Sequence, residues 1–179
     1  QLCARVFYDK YCSKKIPDGC YYGCNLACAK GAEDVQLTHG PRAGQKMSID
    51  GPEYETVGAV VCMGIFDPQF VMEYNWYCDE YGLDTISTGV TIGFFMECFQ
   101  RGFLEVADTG YELNFGDMEA ASRLLHEIAS GEGFGKVAGQ GVARGKVWVA
   151  QKYAARHHTS EQSALAELNK FGMEVKGLE

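Results

Sequence analysis

Within nine residues, Cys20-Tyr21-Tyr22-Gly23-Cys24-Asn25-Leu26-Ala27-Cys28 carries three thiols at intervals of four, with Gly19 just before and Gly23 inside. Thiolates are soft ligands, and a tight group of them in a glycine-punctuated loop is how a chain surrounds an iron-sulfur centre. The same interval would also align three buried thiols on one helix face, but Gly19 and Gly23 disfavour a helix here. Zinc is the competing ion. It needs a further ligand pair with its own short spacing, and none stands downstream. Whatever this chain folds into must scaffold that loop.

The rest of the composition narrows the class. At 179 residues, with 46% hydrophobic and 22% charged side chains, the chain has the makings of an ordinary globular core. Its net charge of −8 supplies no basic stripe to meet phosphates, which excludes a nucleic-acid partner. The apolar runs are too short to span a bilayer, one contains Glu97, and no charged-then-apolar leader is present. The expectation is a cytoplasmic protein whose eight cysteines are reduced, buried or metal-bound. Gln1 opens without methionine and the final Gly172 to Glu179 block stops mid-pattern, so a piece of a longer protein is expected.

Local signals predict a mainly α fold: an irregular helical domain of about five helices, a cysteine-bearing N-terminal loop and little sheet. Ile16-Pro17-Asp18-Gly19 reads as a turn, and residues 29–52 as a long irregular segment with at most a short hairpin. The run Glu53 to Gly64 suits a short helix or a buried strand equally. Asp67-Pro68 marks a helix start, with Phe70, Tyr74, Tyr77, Cys78 and Tyr81 at helical spacing and Gly82 as its end. A second helix, apolar all round, runs from Asp84 or Thr85 to Arg101. Others start at Asp117, span about 134–154, and follow Thr159 or Ser160. The expected division is 1–52, a cysteine-cluster region, and 53–179, a helical domain.

Few other residues invite chemistry. Cys62, Cys78 and Cys98 lie in apolar helical contexts and read as buried, inert thiols. Gly131, Gly133 and Gly135 lack the strand and the Lys-Ser or Lys-Thr pair of a phosphate loop. His39, His126, His157 and His158 show no ligand spacing and read as surface residues. Glu53 and Glu55 enter an increasingly apolar segment, where a carboxylate must be paired, protonated or used. Asp79, Gly82 and Asp84 surround a helix junction, for which capping alone is a sufficient account.

Gly51-Pro52-Glu53-Tyr54-Glu55-Thr56-Val57-Gly58-Ala59, the block Tyr77 to Gly89, Met96-Glu97-Cys98, Gly116-Asp117, Glu132-Gly133-Phe134-Gly135, Gly141-Val142 and Glu174 to Glu179 together resemble the tungsten-dependent aldehyde ferredoxin oxidoreductases. The blocks recur in the family's order over about residues 18–179. Members of that family are much longer, so the resemblance implies the middle helical domain, with a β-rich domain before it and another helical domain after it.

The resemblance also implies roles. Asp79, Gly82, Leu83 and Asp84 match one of two motifs that hold the pterins of a tungsten (or molybdenum) bis-pterin. Cys20, Cys24 and Cys28 match three ligands of a 4Fe-4S cluster, although the family usually has two residues, not three, between the first two. Glu55, with Glu53 as its rival, matches a carboxylate near the metal that moves a proton. The implied activity is oxidation of aldehydes to carboxylic acids, with electrons leaving through the cluster to ferredoxin or another electron-transfer subunit, from a parent that forms a homodimer. A similar tungsten subunit in ring-reducing benzoyl-CoA reductases is the nearest rival within the family, and Tyr74, Trp76, Tyr77 and the Val60 to Gly64 segment keep an aromatic acyl-CoA substrate open. A non-catalytic iron-sulfur electron-transfer module and a zinc-bound interaction module are the readings of another class.

Overall fold

The computed structural model describes residues 4–19 and 21–177, and the side chains of Lys14–Asp18 and Ala29 are outside the description. Cys20 and Cys3 fall outside it as well. The fold is mainly α, as expected. Nine helices stand among the described residues: α1 (Ala4–Lys10), α2 (Tyr54–Cys62), α3 (Pro68–Tyr81), α4 (Thr85–Gln100), α5 (Val106–Thr109), α6 (Met118–Ser130), α7 (Gly135–Ala138), α8 (Gly141–His157) and α9 (Glu161–Leu168). Among these residues no helix is long and apolar enough to cross a membrane.

The irregular reading of residues 29–52 is corrected. Three strands, β1 (Lys14–Asp18), β2 (Ala29–Gln36) and β3 (Lys46–Asp50), form an antiparallel sheet in the order β1-β2-β3. The alternation that announces a strand is broken in β2 because the register shifts between Ala32 and Val35, with Asp34 left-handed at φ 57°. Ala32 and Val35 therefore face the core three positions apart, beside Leu37 and Ile49. The Ile16-Pro17-Asp18 turn signal lies within β1.

α3 is the axis of the molecule. Asp67 caps it by accepting from Phe70 N at 2.9 Å, Pro68 opens it, and Gly82 closes it at φ 65°. Every residue from Phe70 to Cys78 is buried, including Glu73 and Asn75. Around it pack α2, α4 and α6 and the inner face of the sheet, while Val142 and Val149 of α8 join the same core from the side of α4. The single helix expected over about 134–154 is instead α7 and α8, parted where Gly141 takes φ 79°. The apolar period runs through that break, so periodicity alone hides it.

The ambiguous 53–64 run is the helix α2 with its caps, and glycines let α4 lie against it. A Cβ on Gly93 would stand 2.7 Å from the Cys62 carbonyl oxygen, and one on Gly89 2.6 Å from Ala59 Cβ. Gly93→Ala must push backbone against backbone, so a loss of about 1–3 kcal/mol in unfolding free energy is expected from denaturant titration. An unchanged midpoint would contradict that packing. Cys62 itself is exposed, contrary to its reading as a buried thiol. Cys78 and Cys98 are buried as expected, and burial pushes the Cys78 thiol up to about 12.

Candidate functional site

The Asp79 to Asp84 stretch is first a piece of helix-junction mechanics. Leu83 N donates to the Cys78 carbonyl at 2.8 Å across the left-handed Gly82, which reverses the chain. Asp84 then starts α4, its Oδ2 accepting from Ser87 N at 2.6 Å. Tyr74 Oη locks the junction by donating to the Thr85 carbonyl at 2.8 Å. Within this frame Leu83 is half-buried against the core, Asp84 is exposed, and Asp79 faces a cavity.

That cavity, about 360 Å³, is lined by Gly19, Asp50, Gly51, Glu53, Thr56, Asn75, Asp79 and Thr85. Its walls come from the end of β3 and the starts of α2 and α4, all held to the C-terminal half of α3. Three carboxylates and no basic side chain line it. Burial, and then the charges of Asp50, Glu53 and Glu80, hold the Asp79 carboxyl above the usual carboxylate range. Such a site suits a ligand that brings hydrogen-bond donors or positive charge.

A second, mostly apolar cavity of about 640 Å³ adjoins it between α1, the sheet and α2, with Phe7, Tyr8, Tyr11, Cys12, Cys28, Val57 and Met72 among its walls. Gly51 and Glu53 line both. The cysteine loop reaches the polar cavity through Gly19, where a Cβ would stand 3.3 Å from Cys24 Sγ. Lys30 Nζ draws the loop's end together by donating to the Ala27 carbonyl at 3.2 Å and the Cys28 carbonyl at 2.8 Å. Cys24 and Cys28 are half-buried. Among the described residues no three His, Cys, Asp or Glu side chains stand close enough to hold a metal ion.

The structure separates the two glutamates. Glu53, at the N-cap position of α2, lines both cavities. Glu55 lies in the first turn of α2, half-buried, and does not line the polar cavity; its Oε2 is buried with no hydrogen-bond partner among the described residues. Sequence reasoning passed over Asn75, Thr56 and Thr85, which join the cavity walls by hydrogen bonds. The available signal was Asn75 itself, an amide in an otherwise apolar stripe one turn before Asp79. Two histidines read as surface residues are also corrected: His39 Nδ1 is 3.2 Å from buried Glu73 Oε1, and His126 packs edge-on to Tyr77 with its Nε2 buried.

The whole chain fits one family. Residues 2–179 match the model described as aldehyde ferredoxin oxidoreductase, domains 2 and 3, and the chain belongs to that family. It is similar to the aliphatic sulfonate oxidoreductase, WOR-like subunit, of Pyrococcus furiosus, at 36% identity over 88% of this chain and 23% of that protein. It is also similar to tungsten-containing aldehyde ferredoxin oxidoreductases of Pyrococcus horikoshii, at 34% over 67% of this chain and 19% of the relative, and of Thermococcus kodakarensis, at 36% over 74% and 20%. The chain thus spans about a fifth of the length of these curated relatives.

Proposed function

We propose that this chain is the helical pterin- and cluster-binding part of a tungsten (or molybdenum) bis-pterin oxidoreductase, residues 1–52 carrying the cysteine loop and 53–179 the pterin face. The observation that carries the reading is the meeting of the two features at Gly19, which lines the acid-lined cavity holding Asp79 and packs against Cys24 of the loop. The donor chemistry of the cavity fits a pterin, a flat ring rich in N–H groups, because Asp79, Glu53, Thr56 and Thr85 offer acceptors at its walls. Gly82 and Leu83 shape the junction, and Asp84 stands ready to accept from a ring on the exposed side. Cys24 and Cys28, with Cys20, supply thiolates for a 4Fe-4S cluster.

When bound, the metal-pterin supplies two-electron oxidation and the cluster carries electrons away singly. The chain's own work is to orient and to manage protons. Asp79 accepts ring N–H groups, and a ring donor offsets the burial, and then the neighbouring negative charges, that raise its pKa. A carboxylate at the start of α2 takes the substrate's proton. Glu53 has the position for it, and Glu55 has the uncommitted buried oxygen. Leu26 and Tyr54 are strongly exposed at the wall of the apolar cavity, a rim suited to cover by further chain.

Oxidation of an aldehyde to the acid, with ferredoxin as acceptor, is the leading activity. The similarity that extends over 88% of the chain to an aliphatic sulfonate oxidoreductase subunit favours a sulfonate as the second reading. Turnover assays of the full-length enzyme with an aldehyde or an alkyl sulfonate and oxidised viologen as acceptor, and with benzoyl-CoA and reduced viologen as electron donor, separate them. Reduction of the acceptor with aldehyde is expected. Turnover with benzoyl-CoA alone would overturn the aldehyde reading, and absence of tungsten and molybdenum from purified protein would overturn the class.

A further inference from the structure

We propose that Asn75 is the positioning residue for Asp79, clamping one carboxylate oxygen so that the other is presented to the ring held in the polar cavity. The inference rests on the pterin reading above. Asn75 is 5% exposed, in the middle of α3 and one turn before Asp79. Its amide nitrogen commits both hydrogens, to Asp79 Oδ2 at 2.8 Å and to the Asp50 carbonyl at 2.9 Å. Its oxygen accepts from the Thr56 hydroxyl at 3.0 Å, and that hydroxyl is 3.2 Å from the hydroxyl of Thr85. Two acceptors against the nitrogen and a hydroxyl against the oxygen leave a single orientation for the amide.

One side chain therefore references the α3 carboxylate, the turn at Asp50-Gly51, and the first turns of α2 and α4 to each other. Gly51 admits the contact, since a Cβ there would stand 3.0 Å from Asn75 Oδ1. With Oδ2 committed, Oδ1 is the oxygen for a ring N–H. Without the clamp, Asp50 and Glu53 would repel the carboxylate toward solvent.

The test uses the full-length enzyme loaded with its metal-pterin, following release on warming by the fluorescence of the freed pterin, for Asn75→Asp, Asp79→Ala and the double variant. Asn75→Asp keeps the shape but turns the donor into a repelling acceptor. It is expected to speed release ~10-fold, Asp79→Ala at least as much, and the double variant no more than Asp79→Ala alone. Asn75→Ser, which adds no charge, enters the same cycle if Asn75→Asp does not accumulate. Losses that multiply in the double variant, or wild-type release in the Asn75 variants beside fast release in Asp79→Ala, would overturn the positioning role alone. Wild-type release in Asp79→Ala would overturn the pterin reading itself.

Discussion

Glu73→Ala is expected to cost about 3–5 kcal/mol of stability, a large effect for a side chain away from the cavities. Glu73 is 1% exposed in the centre of α3, where an unpaired carboxylate would be intolerable. The segment between β2 and β3 satisfies it: Thr38 N and the Thr38 hydroxyl donate to Oε2 at 2.8 Å each, and His39 N donates to Oε1 at 2.7 Å. One turn on, Tyr77 Oη donates to the His39 carbonyl at 2.9 Å and accepts from Arg42 N at 3.1 Å. Truncation strands three donors and releases the hairpin whose far end carries Asp50 and Gly51 to the polar cavity. Thermal unfolding should show Tm lowered by roughly 6–20 °C for a chain of this size. A Tm within a degree or two of wild type would mean that the hairpin is held by its apolar residues alone.

The second large effect concerns the thiols. In the full-length enzyme, Cys24→Ser and Cys28→Ser should each abolish the iron-sulfur absorbance and reduce iron per chain to a small fraction of wild type, because a hydroxyl is a poor ligand for iron in such a cluster. Cys62→Ser serves as the control. Its thiol is exposed on α2, away from the loop in sequence, and its replacement should leave iron unchanged. Full iron content in Cys28→Ser would remove that residue from the ligand set and leave the spacing of four residues as packing after all.

How much of this was legible beforehand depends on whether the signal is local. The ends of α3 and the start of α4 were, because Asp67, Pro68, Gly82 and Asp84 act through bonds to their own neighbours. The sheet was not: the bulge between Ala32 and Val35 destroys the alternation that identifies a strand, and its partner β3 is only five residues long. The split between α7 and α8 was hidden because the core-facing positions keep their period across Gly141. For the site, Asp79 was legible as a carboxylate at a helix end. Asn75 was not, because its importance comes from Asp50, Thr56 and Thr85, which are far apart in sequence and meet only in the fold.

In the proposed enzyme the cysteine loop and the acid-lined cavity form one continuous redox site. Anomalous diffraction from crystals of the full-length enzyme, recorded at the iron and tungsten edges, tests it most directly. The expected map has an iron peak bonded to Cys24 and Cys28 and a pterin ring accepted by Asp79 in the neighbouring cavity. Iron at the loop with the pterin bound elsewhere, or a cavity closed over Asp79 with no ring against it, would contradict it.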